Sequence, residues 1–240
     1  MRFVLLHGFT GAPSSLTDLV GGAETFAPFL PGHGSAPRLC PTGSFDDAVD
    51  DLADRIPWAA PCTLVGYSMG ARVGLRLLAR HPRRFARAVL VGAHPGLDDE
   101  VARAERRRWE AGLAETLTTQ GIARFVDDWE ALPVLCPVRS VPAERLARRR
   151  AIRLGHTARG LAHALAVLGL GTMPGTTSAL ARIEVPVTLV VGADDDKFRA
   201  LGRQMAARLP SAELVEVPRC GHDVALEAPE ALTDILGGRT

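Results

Sequence analysis

Short apolar runs alternate with stretches of helical periodicity along most of the chain. Six runs predict β-strands: RFVLL, ETFAPF, CTLVG, RAVLVG, VPVTLVVG and AELVEV. Between them, SFDDAVDDLADRI puts Phe45, Val49, Leu52 and Ile56 on one stripe behind a Ser44 N-cap, and MGARVGLRLLARH and KFRALGRQMAARL carry similar stripes. The alternation predicts a mostly parallel, doubly wound α/β sheet of about six strands.

One interval, residues 95–184, breaks this alternation. It has no convincing strand pattern and is rich in Ala, Leu, Arg and Glu, which predicts four or five helices. The segments HPGLDD and GTMPGTTSAL at its two ends carry loop signals. We therefore predict a core formed by residues 1–94 and 185–240, interrupted by a helical cap over residues 95–184.

Composition narrows the class of protein further. The 240 residues are 47% hydrophobic and 23% charged, which fits one domain with an insertion. A net charge of +1 does not favour a nucleic-acid surface, and the apolar run after Met1 is too short for a signal peptide or a membrane span. The four cysteines stand far apart without a Cys-x-x-Cys pair, so we expect no zinc site and a reduced, cytoplasmic setting.

The pentapeptide Gly66-Tyr67-Ser68-Met69-Gly70 lies between a predicted strand and a predicted helix. A G-x-S-x-G sequence fits a sharp strand-to-helix turn whose flanking residues lack bulk, so that the serine Oγ is exposed at the top of the sheet. The same pattern also fits an ordinary glycine-lined turn with a solvated serine. Ser68 therefore becomes a candidate for catalysis only if partners are found.

Two partners follow in the chain order that this architecture requires. Asp195 comes three residues after Gly192, at the end of a predicted strand, and His222 lies in a loop after the last strand. Ser68, Asp195 and His222 therefore form a candidate triad, whereas the neighbouring acids are expected to point elsewhere.

A second turn supplies candidate hydrogen-bond donors. The LLHGFTG segment can aim the Phe9 backbone N–H at the same point as the Met69 N–H, which would create a two-donor oxyanion hole. His7 in this segment is expected to buttress the loop by hydrogen bonding. His156 and His163 lack further ligands, so no metal site is predicted.

Eight segments together resemble the α/β-hydrolase superfamily and, within it, the 2-succinyl-6-hydroxy-2,4-cyclohexadiene-1-carboxylate synthases of menaquinone biosynthesis. They are LHGFTG, LPGHG, GYSMGAR, GAHPGL, FVDDWEALPVL, RAIRL, GLAHAL and GADDDKF. The resemblance spans nearly the whole chain and implies an α/β-hydrolase fold with an inserted cap. A strand or hairpin usual in that family before the LHGF strand is reduced here, so we expect the sheet to end early at this edge.

The resemblance also implies a reaction. It is the elimination of pyruvate from 2-succinyl-5-enolpyruvyl-6-hydroxy-3-cyclohexene-1-carboxylate, a lyase reaction that needs no cofactor. Ser68 would act as the base, because His222 accepts its proton and Asp195 orients the imidazole. Charge on the succinyl carbonyl oxygen would be met by the Phe9 and Met69 N–H groups.

The implied substrate carries three carboxylates, which guanidinium groups can bind bidentately. By resemblance, the substrate-binding residues would be Tyr67, Arg72, Arg106, Trp129 and Arg153, with Arg103 or Arg107 as alternatives to Arg106. Most arginines on such basic helices are solvated. A carboxylesterase or carbon–carbon bond hydrolase with Ser68 as nucleophile remains open, as does a ligand-sensing homologue without chemistry. The sequence does not define the oligomeric state.

Overall fold

A computed structural model describes residues 1–40 and 43–238, and this part of the chain contains one six-stranded sheet in the order β2-β1-β3-β4-β5-β6. All five strand pairs in it are parallel, so the prediction of a mostly parallel sheet of about six strands is confirmed. The strands are β1 (Arg2–Leu6), β2 (Glu24–Phe26), β3 (Cys62–Tyr67), β4 (Phe85–Val91), β5 (Val187–Gly192) and β6 (Ala212–Val217).

Helices cover both faces of the sheet and form the region between β4 and β5. In the described residues they are α1 (Ser14–Thr17), α2 (Phe45–Asp54), α3 (Met69–Arg80), α4 (Glu100–Glu130), α5 (Ala143–Leu154), α6 (Ala158–Leu168), α7 (Asp196–Ala206), α8 (Val224–Glu227) and α9 (Pro229–Leu236). Short 3₁₀ segments occur at Asp18–Val20, Pro82–Arg84, Pro133–Leu135 and Thr177–Arg182. None of the described helices is long and apolar enough to cross a membrane.

The two core layers follow from the alternation of side chains along the strands. In β1, Val4 and Leu6 pack on the face covered by α2 and α3, whereas Phe3 and Leu5 pack on the face covered by α9. Because both faces are covered, the inner strands are apolar at nearly every position, which is why they appear as continuous hydrophobic runs in the sequence.

The region between β4 and β5 contains three α-helices, α4, α5 and α6, within the described residues, where the sequence predicts four or five helices. Part of the difference lies in α4, which runs for 31 residues and is interrupted only by the non-helical backbone of Gly121 (φ 83°, ψ 173°). A satellite core joins α4 to α6 through Leu117, Phe125 and Leu161. The helices therefore bury apolar side chains among themselves as well as against the sheet.

The start of α3 approaches β1 more closely than any side chain would allow. A Cβ on Gly70 would lie 2.0 Å from the backbone oxygen of Leu6, and a Cβ on Gly66 would lie 2.5 Å from the backbone oxygen of Gly70. Both contacts involve backbone atoms, which cannot rotate away as a side chain can. The glycines of the G-x-S-x-G sequence are therefore required by packing.

We expect Gly70→Ala to lower the free energy of unfolding by at least about 2 kcal/mol, because the added methyl group forces the helix away from β1. Gly112→Ala is the matched control, since Gly112 lies in α4 with open space around it. That change should raise the free energy of unfolding by about 0.5–1 kcal/mol through reduced backbone entropy. Urea unfolding of both variants measures the difference, and equal stability of Gly70→Ala and the wild type would contradict the packing argument.

Candidate active site

Ser68, His222 and Asp195 form a continuous hydrogen-bonded chain at the carboxyl edge of the sheet. His222 Nε2 lies 3.1 Å from Ser68 Oγ, and His222 Nδ1 lies 2.9 Å from Asp195 Oδ2. Each residue follows a strand, namely β3, β5 or β6, and parallel strands bring these ends to the same edge. The structure therefore brings together the three residues of the candidate triad.

Ser68 has the strained backbone expected at a strand-to-helix elbow. Its φ of 51° lies in the left-handed region, which costs a non-glycine residue about 1–3 kcal/mol. Its N–H donates to the backbone oxygen of Val91 in β4 at 2.8 Å, and its own backbone oxygen accepts from the Arg72 N–H at 3.0 Å. These bonds hold Ser68 between β4 and the first turn of α3.

Asp195, rather than either neighbouring acid, reaches the imidazole. Asp195 is the N-cap of α7, and its Oδ1 accepts from the Phe198 N–H at 3.2 Å, which leaves Oδ2 for His222. Asp194 is exposed, and the side chain of Asp196 is 93% exposed and pairs with Arg199. The N-cap bond therefore orients the carboxylate toward the histidine.

The His222 ring is enclosed by apolar surface and by glycine. Its centroid lies 4.3 Å from the Phe198 ring and 5.6 Å from the Tyr67 ring. Gly92 has φ +59°, and a Cβ there would lie 2.8 Å from His222 Cε1. The imidazole is consequently buried, with its two nitrogens committed to Ser68 and Asp195.

Ser68 opens into a cavity of about 520 Å³ between the sheet edge and helices α4 and α5. Phe9, Tyr67, Trp129 and Arg153 line the same cavity. The indole of Trp129 stacks on Phe125 with ring centroids 5.7 Å apart and meets Phe9 edge-on at 5.2 Å. The structure thus brings three of the five predicted substrate-binding residues, Tyr67, Trp129 and Arg153, to the cavity that contains Ser68.

Arg72 and Arg106 are not among the described residues that line this cavity, and neither are Arg103 and Arg107. Arg72 is buried and donates to the backbone oxygen of Leu168 at 2.9 Å, and burial lowers its pKa to about 10. Arg106 pairs with Glu110 at 2.7 Å and stacks on Trp109. In this structure these arginines are engaged within the protein, and their binding to a substrate stays a prediction.

Arg153 is a buried cation with one identified carboxylate partner. It is 6% exposed, and its Nη1 donates to Glu130 Oε1 at 2.9 Å. Glu130 is shared, because its other oxygen accepts from Arg150 at 2.6 Å. Burial, followed by the nearby positive charge of Arg149, lowers the pKa of Arg153. The guanidinium is therefore only partly neutralised by protein.

Tyr67, Asp223 and Arg149 form a second polar group beside Ser68, and the sequence analysis missed two of its members. Burial, followed by the negative charge of Asp223, holds the pKa of Tyr67 well above its usual range. Arg149 Nη1 lies 3.0 Å from Asp223 Oδ2 as an ion pair without hydrogen-bond geometry. Arg149 stands four residues before Arg153, and this helical spacing is the signal that could have found it.

The oxyanion hole stays a prediction, although the structure defines the loop that would form it. Phe9 and Thr10 follow β1 and line the cavity, and Thr10 has a left-handed φ of 62°. Met69 is the first residue of α3, where backbone N–H groups lack helical partners, and it directly follows Ser68. Both candidate donors are thus adjacent to residues that line the cavity.

His7, a buried histidine, supports this loop, and both His7 and His94, which lies elsewhere in the core, are held in the neutral form. His7 donates from Nδ1 to the Gly8 oxygen at 2.8 Å and accepts from the Leu30 N–H at 3.1 Å, as expected for a buttress. Burial lowers the pKa of His7 to about 4, and burial followed by the positive charge of Arg72 lowers that of His94 to about 4. The described residues contain no group of three or more His, Cys, Asp or Glu side chains able to hold a metal ion.

Comparison with known proteins defines the family. The model of the alpha/beta hydrolase family matches residues 3–235. A 2-succinyl-6-hydroxy-2,4-cyclohexadiene-1-carboxylate synthase of Salmonella agona (strain SL483) is 31% identical over 238 residues, which cover 97% of this chain and 91% of that protein. A Bacillus subtilis (strain 168) protein given this name provisionally is 32% identical over 247 residues, covering 97% and 88% of the two chains.

The fold of this chain is also similar to a solved structure, that of MenH from S. aureus. The TM-score is 0.92 at 28% identity, with 100% of this chain and 92% of that chain covered. The chain therefore belongs to the α/β hydrolase family and, within it, to the family of 2-succinyl-6-hydroxy-2,4-cyclohexadiene-1-carboxylate synthases. The resemblance and the fold class predicted from sequence are confirmed, and the chain is an enzyme of the lyase class.

The buried histidines predict that the protein loses stability in mild acid. A histidine whose pKa is lowered from 6.5 to about 4 on folding contributes fully above pH 6.5, and this contribution is lost as the pH falls toward 4. His94→Asn keeps an acceptor for the Gly96 N–H, which His94 Nδ1 binds at 3.1 Å, but it does not titrate. We expect the wild type to lose about 2 kcal/mol more unfolding free energy than His94→Asn when the pH is lowered from 7 to 5. Urea unfolding at each pH measures it, and a constant difference would show that His94 does not resist protonation.

Proposed function

We propose that the chain eliminates pyruvate from 2-succinyl-5-enolpyruvyl-6-hydroxy-3-cyclohexene-1-carboxylate, with Ser68 as the base. The observation that carries the proposal is that Ser68, in hydrogen-bond contact with His222, opens into one cavity with Tyr67, Trp129 and Arg153. Membership of the synthase family supports the identity of the substrate.

The proton path follows from the hydrogen-bonded chain. A serine hydroxyl is too weak an acid to ionise unaided near neutral pH, so His222 Nε2 accepts the Ser68 proton as Oγ removes a proton from the substrate. Asp195 fixes the Nδ1–H tautomer of His222 and stabilises the imidazolium that forms. The triad therefore activates a base, and no acyl-enzyme is required.

The bond changes balance within the substrate. Oγ removes the proton at C2, beside the succinyl carbonyl, and that electron pair forms the C2–C3 double bond. The C3–C4 double bond shifts to C4–C5, and the C5–O bond breaks to release enolpyruvate, which takes up a proton and becomes pyruvate. The Phe9 and Met69 N–H groups would stabilise the enolate oxygen before the C5–O bond breaks.

The charged side chains of the cavity wall fit a polycarboxylate. Arg153 is buried, lines the cavity together with Trp129 and shares Glu130 with a second arginine, which supports a positive charge that a ligand in the cavity can use. A guanidinium in such surroundings binds a carboxylate bidentately and strongly. Arg72 and Arg106 would have to exchange their present partners to bind the other carboxylates. In the part of the chain that the structure describes, Cys62, Cys136 and Cys220 are not joined in disulfides, which supports the cytoplasmic location that we propose.

The first test is the release of pyruvate from the purified enolpyruvyl substrate, followed with lactate dehydrogenase and NADH. We expect turnover by the wild type and a loss of about 10²- to 10⁴-fold in kcat for Ser68→Ala, because the variant lacks the base. Rapid quench with mass spectrometry should find no substrate-sized adduct on Ser68. An adduct formed during pyruvate release would show that Ser68 acts as a nucleophile and not as a base. Ester hydrolysis without pyruvate release would indicate the carboxylesterase alternative.

The second test concerns Arg153. We expect Arg153→Met to lower kcat/KM for pyruvate release about 10- to 150-fold, since a substrate carboxylate in the cavity loses a charge-assisted hydrogen bond. Arg153→Lys should recover part of this loss, because it restores the charge without the planar fork. Arg159→Met, at an exposed position on α6, is the control and should stay within about twofold of wild type. Thermal melting checks folding, and unchanged kinetics in both Arg153 variants would remove Arg153 from substrate binding.

A further inference from the structure

Three buried imidazoles, none of which lines the cavity, contact the loop after β1. The His7 and His33 ring centroids lie 4.7 Å apart, and those of His33 and His156 lie 5.4 Å apart. His7 and His33 belong to loops of the sheet edge, whereas His156 lies between α5 and α6. One of the three therefore reaches the loop from the helical region that covers the active site.

Both backbone polar groups of Thr10 are bound by these rings. The Thr10 N–H donates to His33 Nε2 at 3.2 Å, and the Thr10 oxygen lies 3.1 Å from His156 Nε2. Thr10 is also one of three non-glycine residues with positive φ in the described part of the chain. A threonine stays in this conformation only where the surroundings over-determine it, and the two imidazoles supply that constraint.

The hydrogen bonds of His156 define its tautomer. The Gly34 N–H donates to His156 Nδ1 at 2.8 Å, so Nδ1 carries the lone pair and Nε2 carries the proton. His156 therefore donates from Nε2–H to the Thr10 oxygen. Its two nitrogens have different partners, one in each of two core loops, and this separation allows the two contacts to be tested independently.

We propose that His156 is a positioning residue, whose hydrogen bond to Thr10 holds the loop in the conformation that aims the Phe9 N–H at the reacting oxygen. The inference rests on the proposed use of Phe9 as an oxyanion donor. Phe9 lines the cavity, and its N–H belongs to the Gly8–Phe9 peptide, whose oxygen accepts from the Gly11 N–H at 3.0 Å. The Gly11 N–H and the Thr10 oxygen belong to one peptide, so a shift of the Thr10 oxygen is transmitted through this bond to the Phe9 N–H. Donors of an oxyanion hole act only within a narrow range of distance and direction.

His156 also connects this loop to the helix that carries Arg153. The His156 N–H lies 3.5 Å from the Arg153 oxygen at the end of α5. The segments around Gly32 and Gly160 also pack closely against each other, because a Cβ on Gly32 would lie 2.2 Å from the Gly160 oxygen. The C-terminal end of α5 consequently positions both Arg153, which would hold a substrate carboxylate, and the Phe9 loop, which would hold the oxyanion.

Two substitutions separate this role from simple docking of the helices. His156→Gln puts an amide near the former Nε2, where it can donate to Thr10, but it loses the acceptor for Gly34. His156→Asn puts an amide oxygen near the former Nδ1, where it accepts from Gly34, but it does not reach Thr10. Each variant removes one hydrogen bond from the same buried site, and only Asn removes the bond to Thr10.

We expect His156→Asn to lower kcat for pyruvate release about 10- to 100-fold with KM changed less than about threefold, since the loss falls on the transition state. His156→Gln should keep kcat within about threefold of wild type. The same order should appear in the second-order rate of Ser68 phosphonylation by an alkyl fluorophosphonate, followed by mass spectrometry, because the phosphonyl oxygen needs the same N–H donors. Melting temperatures, with all assays run below them, control for folding.

The two readouts keep this inference separate from the proposed function. If the wild type releases no pyruvate but reacts with the fluorophosphonate, the proposed function fails and the comparison of Asn with Gln still tests His156. Equal losses in the two variants, or losses confined to melting temperature, would overturn the inference and leave His156 as a docking contact. A KM rise without a fall in kcat or in phosphonylation rate would overturn it as well.

Discussion

The close backbone contact between the start of α3 and β1 is the constraint on which the site depends. Gly70 approaches the Leu6 oxygen so closely that no side chain fits, and Ser68 is thereby held at the top of the sheet with a left-handed φ of 51°. The strain of about 1–3 kcal/mol in that residue is offset by hydrogen bonds to β4 and to α3. A helix displaced from β1 would release the strain and move Oγ away from His222.

The rest of the site uses polar groups that are buried but bound. Asp195 is oriented by an N-cap bond, His222 by Asp195, and Thr10 by two imidazoles. In a medium of low dielectric constant each of these bonds is strong, and each unpaired group would be costly. The site is therefore arranged before any ligand enters, which is the condition under which fixed donors stabilise developing charge.

The sequence was sufficient for the sheet and for the candidate triad because both depend on local patterns. Strand runs, helical stripes and the order of Ser68, Asp195 and His222 follow from alternation along a parallel sheet, whose carboxyl ends meet at one edge. The contacts of the arginines, in contrast, depend on partners that are distant in the sequence. Arg72 binds the Leu168 oxygen, 96 residues away, and helical phase alone cannot predict such a contact. Arg106 and Glu110 pair within α4, and their spacing of four residues is the signal from which this contact could have been predicted.

The charges around the cavity limit how a polyanion could be bound. Among the described residues, the lining contains four arginines, Arg145, Arg148, Arg149 and Arg153, and four acids, Asp18, Asp223, Glu230 and Asp234, so these side chains together carry no net charge that would attract a substrate at long range. Selectivity must then arise at short range, where the arginines differ in how far their side chains are exposed to solvent. Arg148 pairs with Asp18 at the solvent-exposed rim, and such a pair contributes little. Arg153 is buried and shares its carboxylate with Arg150, so under the proposed function a substrate carboxylate in the cavity would gain a desolvated, directional partner that water does not supply. The proposed recognition of the substrate therefore rests on this buried guanidinium group and not on the basic character of α5 as a whole.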